Sequence, residues 1–183
     1  AIHDEMAALP APTPAQRTTL FEALAGLYMG SGSQGRNQGL LIAQRLNHLA
    51  DGPAQRLMAC FALGNSLFWR GRFKAALAAQ EEGIALARAL GGRVRHTHGA
   101  DDIGVLTHAF HCWTLALLGR HHEARASAEA GLERARSAGN THSLCFMLTF
   151  TAAMYWTARD DQAVLEHAGL ATRLARRHGF PLW

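Results

Sequence analysis

Lysine is almost missing from this chain: Lys74 is the single one among 18 Lys and Arg residues. So strong an arginine bias reflects GC-rich coding as much as binding chemistry. Charge is sparse, with 17% charged residues and a formal net charge of +4. Arg and Glu alternate at Glu129, Glu133, Arg134 and Arg136, the pattern of a solvated helix face. No zinc-finger spacing and no helix-turn-helix pattern accompanies the basic balance, so direct nucleic-acid binding by this chain is not expected. Long apolar runs are missing too; none approaches the roughly 18–20 residues of a membrane span. Ala1-Ile2-His3-Asp4-Glu5 has neither the basic start nor the apolar core of a signal peptide, which points to the cytoplasm. Cysteine is limited to Cys60, Cys112 and Cys145, an odd number, widely spaced within helical patterns. Such residues read as small buried apolar side chains in a reducing compartment, not as disulfides.

Catalytic signatures are lacking as well. There is no Gly-x-x-x-x-Gly-Lys-Ser/Thr loop. Ser31, Ser33, Ser66 and Ser143 are nucleophiles by type, but none sits on a Gly-x-Ser-x-Gly elbow. The acid pairs Asp101-Asp102 and Asp160-Asp161 fall at expected helix starts, where carboxylates cap free N–H groups and favour the helix dipole. Gly30-Ser31-Gly32-Ser33-Gln34-Gly35 fits the dinucleotide fingerprint, yet a helix precedes it where a strand is needed, so it reads as a turn. Eleven histidines are many for 183 residues. His96 and His98 with Asp101, Asp102 and His108 carry the right atoms for a metal, and His108 and His111 share a helix face. Nothing fixes the loop ligands in geometry, so a solvated loop and two partly buried histidines are the preferred reading. Neither an enzyme, nor a metal site, nor a cofactor is expected.

What the sequence has is repetition. An aromatic or bulky residue, then Leu-small-x-x-Tyr/Leu, appears as Phe21-x-x-Leu24-Ala25-x-x-Tyr28 and Cys60-x-x-Leu63-Gly64-x-x-Leu67. It returns as His108-x-x-His111-Cys112-x-x-Leu115 and, more degraded, as Leu148-x-x-Thr151-Ala152-x-x-Tyr155. Ala76, Ala124 and Val164 follow the last three on the next helix. This is the tetratricopeptide pattern, in which a small residue admits a second helix at close range. Ala87-Arg88-Ala89-Leu90-Gly91 likewise returns as Ala135-Arg136-Ser137-Ala138-Gly139 and Ala175-Arg176-Arg177-His178-Gly179, at spacings of 48 and 40 residues. Both exceed the tetratricopeptide period of about 34, so helices are lengthened or loops inserted, the clearest insertion being Gly91 to Ala100.

Apolar residues recur at three and four, with no alternating strand pattern. The expected fold is all-α, a right-handed solenoid of about four helical hairpins similar to tetratricopeptide repeats, covering 14–183 after a proline-marked linker over 1–13. The pairs are expected at about 14–50, 53–90, 101–138 and 141–178. The first helix begins at Pro14, Asp51-Gly52-Pro53 stops and restarts the chain, helix three reaches Arg70, helix five runs from Asp101 to Gly119, and Thr141 is the expected cap of helix seven. The start without Met and the apolar close Phe180-Pro181-Leu182-Trp183 imply a piece of a longer protein. A last helix with Leu170, Leu174, Phe180, Leu182 and Trp183 exposed is expected to pair with a second copy or with further repeats.

From Leu57 to Trp183, and loosely before that, the chain resembles the C-terminal repeat region of large bacterial signalling ATPases. The phrases that carry the resemblance are Ala62 to Phe73 (ALGNSLFWRGRF), Leu115-Ala116-Leu117-Leu118-Gly119 and His178-Gly179-Phe180-Pro181-Leu182-Trp183. In such regulators a DNA-binding domain or nucleotide cyclase precedes an ATPase module and a helical array. The resemblance implies a non-enzymatic array in a bacterial transcription or signal-transduction regulator, binding a protein, peptide or small effector and controlling an adjoining ATPase. A stand-alone adaptor that scaffolds a protein complex stays open beside it.

First helices of such pairs line the inner wall. Phe61, Asn65, Phe68, Trp113 and Trp156 are therefore the expected groove residues, an apolar surface with one amide. Phe61 stands where carboxylate-clamping arrays need a lysine, so no such clamp is expected. Arg93, Arg95, His96 and His98 are the expected rim, positive toward an anionic ligand group.

Overall fold

The computed structural model describes residues 13–31, 36–91 and 101–180; the loop residues Arg93, Arg95, His96 and His98 and the closing Pro181, Leu182 and Trp183 lie outside them. Among the described residues there are eight α-helices and no β-strand: α1 (Pro14–Ser31), α2 (Arg36–Leu49), α3 (Pro53–Phe68), α4 (Phe73–Ala89), α5 (Ile103–Leu117), α6 (His121–Ser137), α7 (Thr141–Thr157) and α8 (Asp161–His178). The all-α expectation holds, with α3 and α5 ending about two residues earlier than the sequence implied.

Local chemistry sets the helix starts. Thr13 and Gln16 form a reciprocal capping box, the Thr13 hydroxyl accepting from the Gln16 amide at 3.3 Å and Gln16 Oε1 accepting from the Thr13 amide at 2.9 Å, with Pro14 as the first helical residue. Asp102 caps α5 by accepting from Gly104 N, and Asp160 caps α8 by accepting from Ala163 N. The cap of α7 is Asn140, not Thr141: its side-chain oxygen accepts from both His142 N and Ser143 N, and Thr141 is the first helical residue. An amide oxygen two to three residues ahead of both donors reaches further than a threonine hydroxyl placed inside the helix.

One backbone turn closes three hairpins. In each, the residue after the left-handed one donates back to the carbonyl five residues earlier: Arg72 N to Leu67 O, Arg120 N to Leu115 O, and Asp160 N to Tyr155 O, at 3.0, 2.9 and 3.1 Å. The turn needs a left-handed residue. Gly71 and Gly119 supply it without strain, at φ 72° and 77°, whereas the last turn uses Arg159 at φ 58°.

Each helix packs on its neighbours in the chain, and α1, α3, α5 and α7 also touch in series, α3 on α5 and α5 on α7 most extensively. Two apolar clusters result. One joins α1 to α4 and the first half of α5 around Phe21, Leu46, Leu57, Phe61 and Leu106; the other joins α5 to α8, with Leu77 of α4, around Leu115, Met147 and Met154. Tyr28 fixes the first hairpin to α3, its buried hydroxyl donating to Ala62 O at 2.9 Å and meeting Ser66 Oγ at 3.1 Å; burial pushes its pKa up to about 12.

Glycine sets the closest approaches. Gly83 on α4 lies between Cys60 of α3 and Thr107 of α5, and Gly131 on α6 lies 48 residues later between His108 of α5 and Met147 of α7. A Cβ at Gly131 would stand 2.8 Å from His108 Cβ and 2.7 Å from Met147 Sδ. Gly131→Ala should therefore force the helices apart and cost roughly 1–3 kcal/mol despite alanine's better helix propensity. Gly30→Ala, with nothing within 4 Å of the added methyl, should be neutral or stabilising. Urea unfolding of the two variants checks this; equal midpoints would remove close approach as the reason for the glycine at 131.

Candidate functional site

The expected groove residues separate into core and surface. Phe61 and Phe68 are buried at 4% exposure each. Phe61 packs between Tyr28 and Phe110, with centroids 6.4 and 6.2 Å away, so it belongs to the junction of the first two hairpins with α5. Phe68 is enclosed by Trp69, Phe73, Phe110 and Trp113, the last at 4.9 Å. Asn65 is partly buried, and its side-chain oxygen has no hydrogen-bond partner among the described residues. Trp113 is half-buried and donates from Nε1 to Thr157 Oγ1 at 2.9 Å, tying α5 to the end of α7. Trp156 is 68% exposed.

What lies at the surface is a row at the ends of α3, α5 and α7, with Trp69 and Leu117 at the same repeat position and Trp156 one residue earlier in its own hairpin. Trp69, just past α3, Leu117 at the end of α5 and Trp156 near the end of α7 are exposed by 41%, 40% and 68%. Trp113 links them: its ring is 6.0 Å from that of Trp69, Leu117 stands one helical turn further along α5, and its indole bonds Thr157 beside Trp156. Beneath it, Phe110 and Phe150 are 4.6 Å apart and Phe146 stacks on Phe150 at 4.6 Å and 13°. At the Trp156 end a cavity of about 470 Å³ opens against Leu117, Thr157, Arg159 and Asp161. Arg70, Arg72 and Lys74 stand exposed at the Trp69 end.

Sequence reasoning missed Trp69, Leu117, Phe110 and Phe150. Trp69 and Leu117 are 48 residues apart, the spacing already evident in the helix ends, so the repeat alone could have paired them.

The other candidate side chains find structural partners. Ser143 is fully buried; its hydroxyl donates to Asp101 Oδ1 at 2.9 Å and accepts from Asp102 N at 3.1 Å, while His142 meets the same Asp101 oxygen at 2.8 Å. The carboxylate thus sits between serine and histidine, which is not the order of a nucleophile with its base. Burial pushes the Cys112 thiol up to about 12 and the Cys60 thiol up to about 11, leaving both protonated at neutral pH. His108 and His111 turn inward and converge on Ser127 of α6, with Nδ1 to Oγ distances of 3.2 and 2.7 Å. Burial above all lowers both imidazoles to about 4, helped at His108 by His111, Arg134 and Arg88 and at His111 by Arg120. Among the described residues no three His, Cys, Asp or Glu side chains are grouped to hold a metal ion, and no helix is long and apolar enough to cross a membrane. No protein-family model, curated protein or solved structure matches the chain.

Proposed function

We propose that this chain is a non-enzymatic interaction and sensing array, a right-handed solenoid of tetratricopeptide-like hairpins that receives a protein partner and passes its presence to an adjoining ATPase or effector. The observation that carries the reading is the row Trp69, Leu117 and Trp156 around Trp113. Large apolar side chains gathered at the ends of α3, α5 and α7 form a surface, not scattered exposure. Tryptophan anchors carry much of the energy of protein interfaces. The basic residues Arg70, Arg72 and Lys74 beside Trp69 favour a partner segment with apolar side chains and an acidic flank. The regulator context rests on the resemblance of residues 57–183 to the repeat region of bacterial signalling ATPases. A complete reading frame with neither an ATPase nor an effector domain would remove that context and leave the stand-alone adaptor.

A photo-crosslinking residue in place of Leu117 identifies the bound segment, which is then titrated as a peptide. Trp69→Ala should weaken it by about 2 kcal/mol, roughly thirtyfold. Leu165→Ala is the control, because Leu165 is 75% exposed on α8 and lies off the row. Equal affinities for the parent and both variants, with circular dichroism unchanged, would take the partner away from this surface.

A further inference from the structure

A second site lies on the other side of α5. Between α4 and α6, with α5 as its floor, is a cavity of about 360 Å³ whose apolar walls include Ile84, Leu115 and Ala130. At ~30 Å³ per water-sized group it holds about a dozen non-hydrogen atoms. Its charges are not evenly placed. Arg120 at one end is held by Glu123 through both its Nε and Nη2 and stands 4.0 Å from Glu81, so two carboxylates share one guanidinium there. Arg88 also lines the cavity, exposed, without an ion-pair partner among the described residues. Glu81 and Arg88 lie on one face of α4, two turns and about 10 Å apart along the axis. The cavity is thus negative at one end and positive at the other.

The histidines add a directed acceptor. Ser127 has one hydroxyl hydrogen and two imidazole nitrogens within reach, so it donates to one ring and accepts from the other. His111 Nε2 is enclosed and has no partner among the described residues. An orphaned buried N–H is rarer than an orphaned acceptor, which places the His111 proton on Nδ1, donating to Ser127, and sends the Ser127 hydroxyl to His108 Nδ1. His111 Nε2 is then a bare lone pair near the Arg120–Glu123 end.

We propose that this cavity binds a small zwitterion whose ammonium and carboxylate are several bonds apart, the ammonium donating to His111 Nε2 at the end where Glu81 and Glu123 together outweigh Arg120, and the carboxylate meeting Arg88. The apolar walls take the methylenes between the charges. An α-amino acid, with its charges adjacent, cannot satisfy both ends. The site is separate from the tryptophan row, and the two stand or fall independently.

The test uses ε-aminocaproate and its constitutional isomer norleucine, which has the same atoms with the charges adjacent, together with caproate and hexylamine. Nitrogen-15 spectra of the imidazoles follow the titration. In the free protein His111 should show the Nδ1–H tautomer. ε-Aminocaproate should shift the His111 ring and bind at least about tenfold more tightly than norleucine, caproate or hexylamine. In Arg88→Gln, a change at an exposed position, it should bind no better than hexylamine, with the His111 tautomer of the free protein unaltered. Equal binding of the two isomers, an Nε2–H tautomer at His111, or no shift by about 20 mM ε-aminocaproate would overturn the proposal.

Discussion

Acidification from pH 7 to pH 4 should remove several kcal/mol of stability, and most of that loss should trace to His108 and His111. Both are neutral in the folded chain because burial lowers them to about 4, against 6.5 for an unhindered imidazole. Unfolding exposes them, so between these values the unfolded state binds more protons. Stability is then fully present above pH 6.5 and falls as the pH drops toward 4. At 1.36 kcal/mol per pH unit each ring contributes about 3 kcal/mol over that window, which is large against the roughly 5–15 kcal/mol that holds a domain together. The other charges facing the pair act in known directions: Arg134 and Arg88 oppose protonation of His108, Arg120 opposes that of His111, and Glu123 favours it. Urea unfolding at several pH values gives the slope. The double variant His108→Gln, His111→Gln should flatten it between pH 6.5 and 4. An equal slope in parent and variant, or imidazole resonances that titrate near 6.5 in the folded protein, would show that these rings are not the groups protonated on unfolding.

This pair also shows where sequence reading ends. That His108 and His111 share a helix face is visible from their spacing. Their partner, Ser127, lies 16 residues beyond His111 on α6, and nothing local announces it. The helices themselves were legible because caps and turns are short-range chemistry: Asp102, Asp160, Gly71 and Gly119 each act within a few residues. Which aromatics would be buried was not legible. Helix α3 packs on α2, α4 and α5 at once, so its apolar face is too wide for periodicity to divide groove from core. Phe61 and Phe68 fall on the enclosed part of that face, whereas Trp69 escapes it by lying just past the helix end.

Arg134→Met should cost roughly 3–5 kcal/mol, the range for removing one partner of a buried ion pair. Asp102 has no exposed surface and is the N-cap of α5. Its Oδ1 accepts from Gly104 N at 2.8 Å and from Arg134 Nε and Nη2 at 3.1 Å each, while Oδ2 has no partner among the described residues. Without the guanidinium this carboxylate would keep one backbone hydrogen bond in a fully buried position. Arg134 also donates from Nη1 to Ala87 O, and Asp102 N donates to Ser143 Oγ, so the end of α4, the start of α5, the end of α6 and the start of α7 meet at this pair. Gly104 makes the approach possible, since a Cβ there would stand 2.5 Å from Arg134 Nε. The control is Asp102→Asn, which keeps the cap but removes the charge. Added to Arg134→Met it should recover much of the lost stability, because the neutral amide no longer needs the guanidinium. If Arg134→Met is as stable as the parent, or if Asp102→Asn brings nothing back, then water already solvates Asp102 Oδ2 and the pair is not what holds the four helix ends together.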